Sequence, residues 1–204
     1  VSDGPVAPAA TTTGAAAILA GGRGRRLGGA VKPLLVVEGR RIIDRQLAVL
    51  RKLFSRLVIV APDPAPFAGL DLPVIPDRAG PGLGPLAGLD AALGWLPAQI
   101  PALVCVAGDM PHLAPAVLRH LRDADPAARA LVPRLATGPE PLCARYHRDL
   151  GPLVADQLAR GALAMQALVA RAGATFIDEP ELRRLDPTLR TFTSVNTPAD
   201  LSGS

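Results

Sequence analysis

Apolar residues along this chain recur with two spacings. Unbroken runs at 15–20, 57–61 and 102–107 are built from Ala, Val, Ile, Leu and Cys and stop at Gly or Pro. That is the pattern of short strands buried on both faces. Elsewhere the spacing widens to three and four. Ile43, Leu47 and Leu50 share one face of a helix predicted over 42–53, and Leu86, Leu89 and Leu93 lie in a helix predicted over 85–96. Further helices are expected over 114–123, 149–160 and 165–172, and further strands over 34–37, 72–75, 130–132, 142–146 and 175–177. Strands alternating with helices predict an α/β fold, a single Rossmann-like three-layer domain with a mainly parallel sheet covered on both faces. Ligands of such folds sit beyond the C-terminal ends of the strands, so reactive residues are expected just after apolar runs.

Composition narrows the class. The 204 residues are 49% hydrophobic and 3% aromatic, which suits one domain with an aliphatic core. Residues 1–14, rich in Pro, Ala and Thr, read as a disordered lead-in, and 15–204 as the domain, with no linker or repeat inside 15–201. No apolar run approaches the roughly 18–20 residues of a membrane span, and the N-terminus lacks the basic start and apolar core of a secretory signal. A cytoplasmic location is expected. The net charge of +4 comes almost wholly from arginine, since Lys32 and Lys52 are the only lysines. The few aromatics are scattered, so the chain lacks the basic, aromatic-studded face of a nucleic-acid binder. Cys105 and Cys143 sit in apolar runs and read as reduced core thiols. His112, His120 and His147 show no ligand spacing and read as surface or capping residues.

The chemistry begins after the first strand. Leu19-Ala20-Gly21-Gly22-Arg23-Gly24-Arg25-Arg26-Leu27-Gly28-Gly29-Ala30-Val31-Lys32 combines glycines with arginines and a terminal lysine. Glycines allow backbone N–H groups to converge on one point, and the cations suit a triphosphate. The dinucleotide fingerprint fails, because Leu27 stands where its third glycine belongs, and the P-loop fails, because Ala30-Val31 follow Gly29. The pattern L-A-G-G-x-x-x-R-[LM]-G, with lysine four places on, fits without a gap. Two acidic residues follow other strands. Asp109, in Val106-Ala107-Gly108-Asp109-Met110-Pro111, is either a magnesium ligand or a turn-forming cap, and Mg²⁺ needs only one or two carboxylates beside phosphate oxygens. Asp77 is either an acceptor for a nucleoside or a turn former, and it precedes the glycine-rich segment 80–84 and a helix start at Pro85.

In this order the motifs resemble the molybdenum cofactor guanylyltransferase family of MobA-like nucleotidyltransferases. They are L-A-G-G with Arg26 and Lys32, Asp77, G-P-L-A-G at 84–88, Asp109-Met110-Pro111, Pro141-Leu142 and V-N-T-P-A-D-L at 195–201. The resemblance covers residues 15–201 and implies a fold of nucleotidyltransferase type. It implies that Leu19, Ala20, Gly21 and Gly22 bind the nucleotide through backbone, that Lys32 meets its phosphates and that Asp77 contacts the nucleoside. Asp109 is implied to bind nucleotide and Mg²⁺, and Asn196 to shape the pterin side. Lys32, Arg26 and Asp109 are then the catalytic set, with Arg25 as a further source of positive charge. The implied reaction carries GMP from GTP to the terminal phosphate of molybdopterin and releases pyrophosphate, with GTP and molybdopterin as small-molecule partners and transient contact with molybdenum cofactor delivery or acceptor proteins. Molybdopterin cytidylyl transfer, guanylyl transfer to cobinamide phosphate and sugar-1-phosphate nucleotidyl transfer share the same phosphate logic. The chain departs from the family at Val31, where Asp is usual, at Pro33, where a small residue is usual, at Ser194, where asparagine is expected, and at Val60 or its neighbour, where some members have asparagine.

Overall fold

The first strand, β1 (Ala15–Leu19), is buried along its whole length. It turns Ala16 and Ile18 into one apolar layer and Ala15, Ala17 and Leu19 into the other, because successive side chains of a strand point to opposite faces. The computed structural model describes residues 13–21, 31–77, 83–197 and 200. Residues 1–12, which hold most of the expected lead-in, lie outside them. The carbonyl of Gly14 already accepts from Arg56 N and Ser55 Oγ.

The elements that follow are β2 (Val36–Val37), β3 (Arg40–Arg41), α1 (Ile42–Leu53), β4 (Arg56–Val60), β5 (Val74–Ile75), α2 (Pro85–Trp95), β6 (Ala102–Ala107) and α3 (Pro115–Asp123). Then come β7 (Ala130–Leu135), β8 (Gly138–Pro139), β9 (Cys143–His147), α4 (Gly151–Ala159), α5 (Met165–Ala172), β10 (Thr175–Asp178) and α6 (Glu179–Leu185). The main sheet runs β10-β7-β9-β6-β1-β4-β5, with β8 attached to β7. β1 is parallel to β4 and β6, β4 to β5, and β7 to β10; only β9 and β8 run antiparallel to their neighbours. The sheet is therefore mainly parallel. Helices α1, α3 and α6 cover one face and α2, α4 and α5 the other.

Local chemistry explains the helices nearest the strand ends. α1 buries Ile42, Ile43, Gln46, Leu47, Leu50 and Leu53, a stripe at helical spacing in which one member is polar. α2 opens at Gly84, whose φ of 72° places it where only glycine is unstrained, followed by Pro85 at the first helical position. Seven of its residues are buried, so α2 is a core helix.

The strand expected over 34–37 is not part of this sheet. Lys32–Leu34 forms a 3-10 turn with Pro33 inside it, and only Val36–Val37 pairs as a strand, with β3 in a separate hairpin. Glu38 and Gly39 both have positive φ, the tight two-residue turn that such hairpins need. The other departures are a 72–75 strand reduced to Val74–Ile75, a 149–160 helix that begins at Gly151 after a 3-10 turn, and the unforeseen α6. Cys105 and Cys143 are free and fully buried, and burial pushes both thiols upward. No helix among the described residues is long and apolar enough to cross a membrane.

Candidate active site

The parallel strands β1, β4, β5 and β6 end at one edge of the sheet, and the residues expected to react lie just beyond it. After β1 the chain passes Ala20, whose N–H donates to Val60 O at 2.8 Å, and reaches Gly21. After β6 it turns through Gly108. The Gly108 N–H donates to Leu19 O at 2.9 Å, which ties the ends of β6 and β1 together. A Cβ at Gly108 would lie 2.6 Å from Pro33 Cγ and 3.1 Å from Leu19 O. Glycine is required for close approach, and that approach brings Lys32, the neighbour of Pro33, against Asp109.

Lys32 is the centre of the arrangement. Its Nζ donates to Asp109 Oδ2 at 2.9 Å and to Asn196 Oδ1 at 2.7 Å. These partners are 77 and 164 residues away in sequence. Lys32 and Asp109 remain partly open to solvent, with side-chain exposures of 23% and 19%. An ammonium carries three donors. Two of the three hold the group in place, and the third has no partner among the described residues. Two further hydrogen-bond sets fix Asn196. Val195 N donates to Asp109 O at 2.9 Å, and the N–H groups of Asn196 and Thr197 both donate to Asp200 Oδ2 at 2.8 Å. Those two N–H bonds, that of Asn196 first, hold the Asp200 carboxyl below its ordinary range.

Asp77 stands beyond β5. Its carboxylate lies 4.0 Å from where a Cβ on Gly21 would sit and 3.8 Å from the same point on Gly88 of α2. It has no hydrogen-bond partner among the described residues, and burial pushes its carboxyl above the ordinary range. A half-buried acceptor beside two glycines leaves room for a flat ligand group with N–H or O–H donors. Leu19, Ala20 and Gly21 lie between Asp77 and Asp109 along the edge. The sequence-predicted Gly22, Arg25, Arg26 and the glycine-rich residues 80–82 fall outside the described residues.

The turn after Asp109 is braced on its outer side. Arg45 Nε donates to Pro111 O at 3.1 Å, and its Nη2 lies 2.5 Å from Glu38 Oε2. Arg190 Nη2 lies 2.9 Å from Glu38 Oε1 and 2.9 Å from His112 Nε2. The bonds from Arg190 and then Arg45 hold the Glu38 carboxyl low, while burial and then Arg190 push His112 down. His112, read as a surface or capping residue, is partly exposed and lies within hydrogen-bond distance of two arginines. His147 does act as a cap, its Nδ1 accepting from Asp149 N at 3.3 Å. Among the described residues, no group of three or more His, Cys, Asp or Glu could hold a metal.

Two contributors were not assigned a role by motif reading. Gln46, completely buried in α1, donates from Nε2 to Ala107 O and Met110 O. Its only signal in sequence is a polar residue inside an apolar stripe. Asp200 had a better one, because Thr197-Pro198-Ala199-Asp200 spells a capping box.

A family model described as the MobA-like NTP transferase domain matches residues 16–175. The molybdenum cofactor guanylyltransferase of Desulfosudis oleivorans is 31% identical over 185 residues, covering 90% of each chain. That of Rhodobacter capsulatus is 36% identical over 197 residues, covering 91% of each. Among solved structures, molybdopterin-guanine dinucleotide biosynthesis protein A from Archaeoglobus fulgidus superposes with a TM-score of 0.78 at 29% identity, over 92% of this chain and 95% of that one.

Proposed function

We propose, from the premise that this chain belongs to the MobA-like NTP transferase family, that it transfers GMP from GTP to the terminal phosphate of molybdopterin and releases pyrophosphate. The observation that carries this reading is Lys32 Nζ held between Asp109 and Asn196 at the C-terminal edge of the sheet. It unites the implied phosphate, metal and pterin residues in one place.

The acceptor phosphate is already an anion, so no general base is needed to generate the nucleophile. What the protein must do is align two anions and offset the charge that builds as pyrophosphate departs. Lys32, with one donor uncommitted among the described residues, faces the phosphates, and Asn196 keeps its ammonium from folding onto Asp109 alone. Asp77 accepts from the nucleoside on the β5 side. Asn196 meets the pterin on the other.

The residues also suit Mg²⁺. Asp109 gives one oxygen to Lys32 and has its second oxygen without a partner among the described residues. A lone carboxylate fits an ion that takes the rest of its shell from phosphates and water, as Mg²⁺ does. Bound there by Asp109, Mg²⁺ would neutralise phosphate charge in the transition state. Because GTP is drawn from the cytoplasm, the reaction is placed there.

The test is pyrophosphate release from GTP, CTP, ATP and UTP in turn, with molybdopterin and Mg²⁺. Release is expected with GTP only when molybdopterin is present. A preference for CTP, or release driven by a sugar 1-phosphate or cobinamide phosphate and not by molybdopterin, would replace this assignment with one of the related transfers.

A further inference from the structure

Gln46 lies in the middle of α1, fully buried on the apolar face it shares with Ile43, Leu47 and Leu50. Its Nε2 donates to Ala107 O at 2.7 Å and to Met110 O at 3.0 Å, and the two acceptors bracket Gly108 and Asp109. Its Oε1 has no hydrogen-bond partner among the described residues. The opposite amide orientation would set an oxygen against two carbonyl oxygens, so the neighbours fix which atom is nitrogen. A buried amide with an orphaned acceptor is less favourable for stability than a close-packed apolar side chain. Some other demand keeps it there.

We infer that Gln46 is a positioning residue for Asp109. Its two N–H groups clamp the carbonyls on either side of Gly108-Asp109, which fixes the direction in which the Asp109 carboxylate leaves the turn. The same turn is tied to β1 through Gly108 N and to the C-terminal segment through Asp109 O, and both of those ties are backbone to backbone. Gln46 is the side-chain tether among the three. It touches neither substrate nor metal, and the inference rests on the preceding reading of Asp109.

The test uses Gln46→Met, which keeps length and volume but loses both donors, and Gln46→Asn, which keeps the amide but falls short of the carbonyls. Asp109→Ala is the reference. Mn²⁺ binding in the presence of a non-hydrolysable GTP analogue is followed by the loss of the free-ion EPR signal, beside thermal melts and pyrophosphate release at graded Mg²⁺. Both Gln46 variants are expected to bind Mn²⁺ about 10- to 100-fold more weakly, the usual loss when a partner orienting a metal ligand is removed. Raising Mg²⁺ should restore their turnover, whereas Asp109→Ala should not recover at any concentration. A lower melting temperature with unchanged Mn²⁺ affinity, in whichever Gln46 variant folds, would make Gln46 a core residue only and overturn the inference. Wild-type Mn²⁺ binding by Asp109→Ala would remove the Asp109 assignment itself, a result separate from any Gln46 measurement.

Discussion

Asp77 shows how burial can set one side chain against the stability of the fold. Its carboxylate is half withdrawn from water with no donor among the described residues, so burial alone raises its pKa. The sign follows from linkage. A carboxyl whose folded pKa lies above its unfolded value stabilises the fold below the ordinary carboxylate range, and that contribution is lost as pH rises through the raised value. At neutral pH the protein therefore carries an unfavourable charge. Asp77→Asn should raise the melting temperature at pH 7, with the gain vanishing in acid, and should raise KM for GTP. Melting curves from pH 3 to pH 8 with parallel kinetics check both parts, and an unchanged KM would remove Asp77 from the nucleoside site. At this scale much was legible in the sequence. Asp77 and Asp109 each stand just after an apolar run, Lys32 closes the glycine–arginine loop after the first one, and Asn196 lies in a recognisable string. Gln46 was not, because hydrophobic periodicity averages over positions and treats one polar residue in a stripe as noise. The need for glycine at 108 depends on Pro33, which only folding brings near.

Elements were readable where a run was long and uniform. The buried strands β1 and β6, the latter open only at Ala102, and the amphipathic α1 match the sequence expectation to within a residue or two. Hairpin β2–β3 was misread because a two-residue strand beside Pro33 carries too little pattern, and the direction of β9 cannot be seen in a strand's own residues. α6 was missed because it buries only Leu182 and begins Glu179-Pro180-Glu181. Yet its end has structural consequences. Asp186 Oδ2 accepts from both the N–H and the hydroxyl of Thr191 at 2.8 Å, and Thr191 Oγ1 accepts from Ala114 N at 3.0 Å, just ahead of α3. Burial pushes the Asp186 carboxyl up, but these bonds and those of Thr188 outweigh it and hold it low. Asp186→Ala leaves the buried Thr191 donors unmatched and should cost about 1–3 kcal/mol in urea unfolding. The stability Asp186 contributes is present above the ordinary carboxylate range and falls away as pH drops through its lowered pKa, so the difference between wild type and variant should shrink in acid. A constant difference across that range would show that packing, not the charge, is lost.

Across the whole molecule, the site lies where parallel strands on either side of β1 finish together, the crevice that open α/β sheets offer to ligands. The sheet supplies Leu19 and Asp109, but Asn196 arrives from the far end of the chain. It is carried by Val195, which packs with Val37 and Ile42 in a small cluster apart from the two main layers. A chain ending at residue 194 keeps every strand of the main sheet and loses the contacts of Val195 and Asn196 with Asp109 and Lys32. It should melt cooperatively but lose nucleotidyl transfer, with Mn²⁺ affinity reduced because Asp109 O is left without Val195 N. Retained turnover would show that Asn196 and its segment are dispensable.

The reach of Lys32 across 164 positions also imposes an order in time. During synthesis, β1, Lys32 and Asp109 emerge well before Asn196, the residue that completes the candidate cluster. A partly made chain can build its sheet around an immature lysine–aspartate pair, but it cannot assemble the finished triad until translation has passed residue 196. Closure of the Lys32–Asp109–Asn196 cluster is thereby tied to synthesis of the chain through residue 196.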